Sequence, residues 1–254
     1  MTKLTKKNIS ARSRDITLPA RSRVLLLENI KTGAANPARK IIIGPNSRVQ
    51  HIIIVDGAVR SAAALQRELI IGDNSQVDMF AAYFGGGSYR VKADTYLGKQ
   101  ANVTSRVLFW LKERQNLQVQ DNYIFTAPAT VGQFKIEGLI DDQASAEYYS
   151  DVVISPAAQE TDSRIDMRLH LLSPQAKGSL LPGLKISANR VKAGHGASTF
   201  RLAPDDIFYL QTRGLSPEEI KKLIIKAVAN QFAGPIADSA TRDLLIKLIT
   251  KRAL

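Results

Sequence analysis

The sequence predicts a mainly β protein, a parallel β-solenoid followed by a C-terminal α-helical cap. Two observations lead to this prediction. Short segments rich in β-branched and aromatic residues recur at a nearly constant interval, each after turn residues. Beyond residue 203 the pattern changes to helix start and stop signals. We therefore expect a basic flexible arm over residues 1–15, a β-helix core over 16–202 and a helical domain over 203–254.

The repeat has a four-residue motif: a polar residue or proline, a small residue, any residue, and valine. Its copies are Asn46–Val49, Asn74–Val77, Gln100–Val103 and Pro128–Val131, with a looser fifth copy at Asp162–Ile165. The valines of the first four copies step by 28, 26 and 28 residues. The first three copies are also preceded by a glycine at the same offset: Gly44, Gly72 and Gly98.

A solenoid explains this rhythm in physical terms. Each coil needs a corner residue with unusual backbone angles, which glycine or asparagine supplies at little steric cost. One coil cannot bury its apolar face alone, whereas stacked coils share a continuous core. An antiparallel sandwich with coincidental turn spacing is the alternative, but sandwich turns recur about every 8–12 residues. The longer interval favours the solenoid.

Helix signals follow one another after the repeats. Ala203–Asp206 begins a short helix with an early proline, and Gly214 ends it. Ser216–Glu219 is a capping box. Two apolar stripes follow at helical spacing: Ile220, Leu223, Ile224, Ala227, Val228 and Phe232, then Leu244, Leu245, Leu248 and Ile249. Burying a large aliphatic side chain stabilises by about 1.5–3 kcal/mol, so we expect these stripes to pack on the solenoid end, on each other or on a partner.

Charge and composition restrict the function. The net charge is +12, and ten Lys or Arg lie among the first 40 residues. No helix-turn-helix, zinc finger or aromatic RNA-binding motif accompanies this charge, so nucleic acid is an unlikely partner. The sequence shows neither a membrane-spanning apolar run nor a signal peptide, which predicts a cytoplasmic protein without a membrane partner. With no cysteine, the chain supplies no thiolate ligand.

His195 is the candidate ligand for a metal. It is one of three histidines and lies between Gly194 and Gly196. Strand alternation puts it on the same face as Val191 and Ala193. Imidazole is a reasonable ligand for iron and replaces cysteine in some clusters. The alternative is a buried structural histidine that is hydrogen-bonded to the backbone. The chain has no phosphate-binding loop, so any ATP hydrolysis belongs to a partner.

The C-terminal third resembles the SufB/SufD family, the scaffold subunits of bacterial iron–sulfur cluster assembly. The chain reads GHGAS at 194–198, IFYLQTRGL at 207–215 and SPEE at 216–219. SufD-type proteins have S-H-G-A-T, I-F-Y-L-x-x-R-G-I and an S-x-E-E-type helix start in the same order. The match covers about the last 80 residues well, and the order and spacing of the motifs make it specific.

The resemblance implies a right-handed parallel β-helix and a set of partners. In the family, SufB and SufD pair through their β-helices, and each binds one SufC-type ABC ATPase through its C-terminal helices. Cluster chemistry is associated with a SufB cysteine and glutamate and with the SufD-type histidine, which corresponds to His195. Phe208, Tyr209, Arg213 and Gly214 would contact the ATPase, the alternative for the first three being packing on the solenoid. Any iron–sulfur cluster would lie at a subunit interface and would not be bound by this chain alone.

Three departures shape the functional hypothesis. The chain is shortened at the N-terminus relative to the family, it has no cysteine, and Gly196 stands where SufB-like chains carry a glutamate. The hypothesis is therefore a non-catalytic, SufD-like scaffold that pairs with a SufB-like subunit or with a second copy of itself. A self-assembling structural β-solenoid without a cluster role is the alternative. A solenoid that acts on polysaccharide is disfavoured by the aromatic content of 6%.

Overall fold

The chain folds into fifteen strands followed by three helices, within the residues that the computed structural model describes: 4–9, 15–31, 38–57, 62–85, 87–201 and 204–251. The first eight strands are β1 Thr5–Ile9, β2 Asp15–Leu18, β3 Arg23–Lys31, β4 Arg39–Ile43, β5 Arg48–Gly57, β6 Ala62–Ile71, β7 Gln76–Gly85 and β8 Ser88–Leu97. The others are β9 Asn102–Leu111, β10 Asn116–Phe125, β11 Val131–Ile140, β12 Ser145–Ile154, β13 Asp162–Leu171, β14 Lys177–Ile186 and β15 Lys192–Arg201. The helices are α1 Pro204–Thr212, α2 Pro217–Ala233 and α3 Ser239–Lys251.

The strands form two parallel sheets that share each coil of the chain. Odd-numbered strands form an eight-stranded sheet in the order β1-β3-β5-β7-β9-β11-β13-β15. Even-numbered strands form a seven-stranded sheet in the order β14-β12-β10-β8-β6-β4-β2. Each coil thus contributes one strand to each sheet, which makes a β-solenoid of about six turns. The predicted solenoid is confirmed, and the alternative of an antiparallel sandwich is wrong.

The valines of the repeat form a buried ladder between the two sheets. Val49 pairs in register with Val77, and Val77 with Val103, and all three side chains are buried. Parallel in-register strands place equivalent residues directly above one another, so each coil continues the same core. Aliphatic and aromatic side chains from both sheets fill this interior.

The last two copies of the repeat are out of register with the predicted alignment. Val131 pairs with Asn102, so Gly132 and not Val131 continues the valine ladder from Val103. Asp162 pairs with Val131, and Ser163 therefore occupies the ladder position that was predicted for Ile165. The coils after β9 are longer than the first ones. An alignment based on the valine spacing is therefore wrong by one residue at the fourth copy and by two residues at the fifth.

Asparagine and glycine have different tasks at the corner of the coil. Asn46, Asn74 and Gln100 adopt left-handed conformations with φ of 58°, 53° and 56°, and each backbone N–H donates to a carbonyl of the next coil. Gly72 precedes this corner, and a Cβ on it would lie 2.7 Å from the nitrogen of Pro45. Gly44 and Gly98 are equally crowded by the coil before them. These glycines allow the coils to approach each other closely. The prediction that they supply the unusual backbone angles of the corner is wrong.

Helices α2 and α3 lie along the flank of the solenoid and do not cap its end. Ile225, Val228 and Phe232 of α2 pack on the outer face of the eight-stranded sheet, together with Leu245 and Ile249 of α3. Apolar residues on the outer face of β3, β5, β7 and β9 pack against these helices, among them Ile52, Phe80 and Trp110. The apolar outer face extends over several strands, so covering it buries more apolar area than covering the end of one coil.

The predicted apolar stripes are shifted around the helices. Leu223 and Leu244 are 53% and 44% exposed, whereas Ile225 and Ala229 are buried. Among the described residues, no helix is long and apolar enough to cross a membrane.

The basic N-terminal segment is partly built into the sheet. Thr5–Ile9, inside the predicted flexible arm, forms β1 and pairs in parallel with β3. Lys6 also donates to Asp238 and Thr241 at the start of α3, at 2.8 and 2.9 Å. Residues 1–3 and 10–14 of the predicted arm lie outside the described residues.

Substitutions at one corner will separate the two tasks. We expect Gly72→Ala to lower the free energy of unfolding by about 1–3 kcal/mol, because the new Cβ meets the backbone of the previous coil. Asn74→Gly, two residues away, should leave stability unchanged or raise it, because glycine adopts a left-handed φ without strain. Urea unfolding followed by circular dichroism measures both. Equal stability of Gly72→Ala and the unsubstituted chain would contradict the crowding.

Candidate functional site at the open end of the solenoid

The last coil leaves one end of the solenoid open. Strands β14 and β15 are each the terminal strand of their sheet, and most of their side chains are exposed or half-buried. Leu181, Ile186 and Phe200 are large apolar residues of this coil that are 42–44% exposed. Pro182 lies in the middle of β14, and proline in a sheet is characteristic of an edge strand. The edges of β14 and β15 are therefore available for pairing.

His195 lies at this end, in line with the interior of the solenoid. It pairs in register with Ile165, which is fully buried, and Ile165 in turn pairs with the buried Phe134. The predicted parity is confirmed, because Ala193 and Val191 pack against the interior core. His195 itself is exposed, since no further coil among the described residues covers it.

The environment of His195 differs from that of a structural histidine. Within the described part of the chain, its side chain makes no hydrogen bond and no ion pair. The alternative of a buried, hydrogen-bonded histidine at this position is wrong. The described residues also contain no group of three or more His, Asp or Glu side chains that could hold a metal ion.

The other predicted contact residues lie on α1 and at its end. Phe208 and Tyr209 are 69% and 58% exposed, so neither is buried against the solenoid. Arg213 lies over the ring of Tyr209, with its guanidinium carbon 5.3 Å from the ring centroid, and donates to the Tyr209 hydroxyl at 3.3 Å. Gly214 has φ of 85°, so it supplies the left-handed residue that ends the helix. No hydrogen bond, ion pair or ring contact among the described residues joins this group to His195.

Helix signals in the sequence place this group accurately. The Gly214 N–H donates to Gln211 and the Leu215 N–H to Leu210, the pair of bonds typical of a glycine-ended helix. Ser216 and Glu219 then form the predicted capping box at the start of α2. The chain turns sharply between α1 and α2, and α1 begins three residues after β15 ends. The exposed aromatic residues are therefore closely linked in the chain to the strand that carries His195.

A buried charged cluster inside the solenoid was not anticipated from the sequence. Glu28 is 1% exposed, accepts from Arg39, and lies 2.9 Å from His51 Nε2 and 3.5 Å from Arg67 Nη2. Burial alone would raise the pKa of Glu28, but the hydrogen bond with His51 and the charges of His51, Arg67 and Arg39 lower that pKa to about 2. Strand alternation in the sequence could have indicated the burial of Glu28, since Glu28 lies between Leu26 and Ile30, whose side chains face the interior.

A second buried carboxyl lies further along the interior. Both Tyr123 and Tyr148 donate to Asp121 Oδ2, at 2.7 and 3.0 Å, and all three side chains are buried. Burial raises the pKa of Asp121 to about 6 despite these two hydrogen bonds. Asp121, His51 and Ser105 also line a cavity of about 50 Å³ between the sheets. These residues lie in the interior, apart from the exposed end.

These features together define a parallel β-solenoid protein with an open last coil and a helical flank. The chain belongs to the SufBD core family: residues 4–228 match the family model described as "SUF system FeS cluster assembly, SufBD core domain". The predicted resemblance is confirmed.

Three relatives illustrate the similarity. An iron–sulfur cluster assembly SufBD family protein of Synechocystis is 31% identical over 116 residues, 46% of this chain and 26% of the relative. The iron–sulfur cluster assembly protein SufD of Bacillus subtilis is 27% identical over 124 residues, 49% of this chain and 28% of the relative. The chloroplastic ABCI7 protein of Arabidopsis thaliana is 22% identical over 211 residues, 82% of this chain and 44% of the relative. The chain thus spans less than half the length of each of these relatives.

The buried Asp121 predicts an unusual pH dependence of stability. A folded-state pKa near 6, raised from about 4, means that the folded protein binds the proton more tightly than the unfolded chain. The free energy of unfolding should therefore fall as pH rises from about 4 to about 6, by an amount on the order of 2 kcal/mol. Asp121→Asn should flatten this slope, whereas Asn at the exposed Asp162 should preserve it.

The pH range isolates Asp121 from Glu28. The lowered pKa of Glu28 contributes stability that is present above about 4.5 and is lost as pH falls towards 2. Urea unfolding at intervals between pH 4.5 and 7 measures the slope of Asp121. A profile for Asp121→Asn that parallels the unsubstituted chain would contradict the assignment.

Proposed function

We propose that this chain is a non-catalytic, SufD-like scaffold subunit of a cytoplasmic SUF-type iron–sulfur cluster assembly complex. It pairs through the open end of its solenoid with a SufB-like subunit or a second copy of itself, and it docks a SufC-type ABC ATPase on its C-terminal helices. Exposed His195 on the terminal strand of a SufBD-family solenoid is the observation that carries this proposal. The iron–sulfur cluster is cargo of the complex.

His195 is the residue of this chain that we assign to the cluster or to the subunit interface. Its ring is accessible at the point where the interior of the solenoid opens. One neutral imidazole is a suitable iron ligand, but an iron–sulfur cluster needs further ligands, which are most often thiolates. The chain has no cysteine, so these ligands would come from the partner across the open end.

The helical flank supplies a separate docking surface. Phe208 and Tyr209 on α1 and Leu223 on α2 expose large apolar side chains. Aromatic residues and arginine are the usual anchors of protein interfaces, and Arg213 lies against Tyr209. These residues support the assignment of α1 and the start of α2 to ATPase docking.

The short link between β15 and α1 connects the two surfaces. Arg201 ends β15 and Pro204 begins α1. Helix α2, which follows α1, is held on the solenoid because Lys221 Nζ contacts both carboxylate oxygens of Asp141 at 2.9 Å. A displacement of α1 by the docked ATPase would thus act on β15 first. We infer that docking opens or closes the interface at His195.

A self-assembling structural solenoid is the second candidate function. The free edges of β14 and β15 and the exposed apolar residues of the last coil favour it. This function predicts homopolymers whose size grows with concentration. It also predicts no effect of His195→Ala on assembly or on metal content.

Truncation of the exposed aromatics should weaken ATPase docking. We expect the unsubstituted chain to co-elute with a SufC-type ATPase in size-exclusion chromatography at micromolar concentration. Phe208→Ala and Tyr209→Ala should lower the affinity at least about 10-fold, as expected for central interface residues. Tyr149→Ala is the matched control, because Tyr149 is a similarly exposed aromatic on the seven-stranded sheet. Absence of co-elution for the unsubstituted chain would argue strongly against docking.

Removal of the imidazole should reduce the iron that the complex holds. After anaerobic co-expression with a SufB-type subunit and a SufC-type ATPase, we expect His195→Ala to lower the iron content and to change the visible absorption of the purified complex. The unfolding midpoint should not change, because His195 is exposed. His170→Gln is the control, because His170 lies on the outer face of the sheet, opposite to the face of His195, and is paired with Glu137. Equal iron content in both variants and the unsubstituted complex would exclude His195 from the site.

A further inference from the structure

The positive charge of this chain is concentrated at the end of the solenoid that lies opposite to His195. Residues 1–48 contain eleven Lys or Arg and two Asp or Glu, a net charge of +9, whereas residues 49–254 contain 24 and 21, a net charge of +3. The described part of residues 1–48 forms β1 to β4 and the start of β5. The net charge of the molecule is therefore a property of its first coils.

Four exposed cations at this end have no acidic partner. Arg23 at the start of β3 and Arg48 at the start of β5 pair in register, so their Cα atoms lie about 4.8 Å apart on neighbouring strands. Arg21 lies at the corner before β3, and Lys7 lies on β1. Within the described part of the chain, none of these four exposed side chains makes a hydrogen bond or an ion pair. We call the four residues the basic end.

The carboxylates of β1 to β7 and of the start of α3 do not neutralise the basic end. Asp56 lies near the opposite end of β5 from Arg48. The others have partners elsewhere: Asp15 accepts from the Lys40 N–H, Glu28 from Arg39, Glu68 from Lys40, Asp73 from the Lys99 N–H, Asp78 from Thr104 and Asp238 from Lys6. The excess of positive charge around Arg21, Arg23 and Arg48 is therefore not balanced within the described residues.

This arrangement is matched to a ligand with several negative charges. Like charges on directly neighbouring strands repel each other, so the stacking of Arg23 on Arg48 costs free energy in the isolated chain. An anion that lies against both side chains would remove this repulsion. Guanidinium groups are suited to this task, because they bind carboxylates and phosphates through paired N–H donors.

The surroundings of the basic end favour an acidic peptide over other polyanions. The first aromatic residue of the chain is Phe80, so this end has no ring on which a nucleic-acid base could stack or that could enter a membrane interface. Strand β1 is the terminal strand of the eight-stranded sheet, and no described strand pairs with its other edge. An extended peptide can add to such an edge through backbone hydrogen bonds.

We propose that the basic end binds an extended acidic segment of another protein, which adds to β1 as a further strand of the eight-stranded sheet. The carboxylates of this segment face Lys7, Arg21, Arg23 and Arg48. A second copy fits less well, because the terminal strands β14 and β15 contain no Asp or Glu to place opposite β1. The basic end lies at the opposite end of the solenoid from His195, so the inference goes beyond the proposed function and does not depend on it.

A fluorescein-labelled peptide in which glutamate alternates with threonine is the probe for this surface. We expect the chain to bind it with a micromolar dissociation constant in fluorescence anisotropy at low ionic strength, and at least about 10-fold more weakly at about 0.5 M salt. Arg23→Gln/Arg48→Gln should weaken binding at least about 10-fold. Arg164→Gln/Arg190→Gln is the matched control, because it removes the same charge from two exposed arginines that are paired at the other end. It should change the affinity less than about 3-fold.

A second peptide separates strand addition from attraction by charge. It keeps the glutamates and has proline in place of threonine, so every second backbone N–H is missing, and we expect binding at least about 10-fold weaker. The unfolding midpoint of Arg23→Gln/Arg48→Gln should not fall, because neither side chain has a bonding partner within the described part of the chain.

Each contrary result overturns a specific part of the proposal. Equal affinity of the double glutamine variant and the unsubstituted chain would remove Arg23 and Arg48 from the site, and equal affinity for both peptides would exclude strand addition. Tighter binding of oligouridylate or of phosphatidylserine vesicles would identify a phosphate-bearing ligand in place of the acidic segment. A homodimer that the double glutamine variant abolishes would identify a second copy as the occupant. No binding of the alternating peptide would end the proposal, whatever the ATPase and iron measurements show.

Discussion

The in-register parallel stacking of successive coils is the constraint on which the rest of this structure depends. It places Val49, Val77 and Val103 in one buried ladder and makes a continuous core from short strands that could not be stable alone. The same register stacks polar residues as strictly as apolar ones. Glu28 therefore lies among buried side chains, where its contacts with His51, Arg67 and Arg39 hold its pKa low.

The stack of coils ends at β14 and β15, and this last coil is open. Helices α2 and α3 cover the apolar outer face of β3 to β9, and β14 and β15 remain accessible. His195 occupies a position that would be interior in any other coil, and its exposure follows from the absence of a further coil among the described residues. The open end and the helical flank thus offer two surfaces, which are linked by the short connection from β15 to α1.

Glycine has two separate physical roles in this chain. Gly72 and its equivalents allow neighbouring coils to approach, and Gly214 adopts the left-handed conformation that ends α1. Gly194 and Gly196, inside β15, are neither crowded nor left-handed. The first role cannot be recognised in the sequence, because it depends on the distance between a hypothetical Cβ and atoms of another coil.

Local signals in the sequence were sufficient for the solenoid, the three helices, the glycine that ends α1, the capping box of α2, and the strand face on which His195 lies. Corner residues, the Ser216–Glu219 capping box and strand alternation act over a few residues, so they can be recognised without knowing which segments meet. The register of the later coils, the shifted apolar faces of α2 and α3 and the flank position of these helices were decided by the tertiary structure. So were the strand at Thr5–Ile9 and the buried pairing of Glu28 with Arg39, His51 and Arg67. Each of these depends on contacts between residues that are distant in the chain, where burial and ion pairing outweigh local preference.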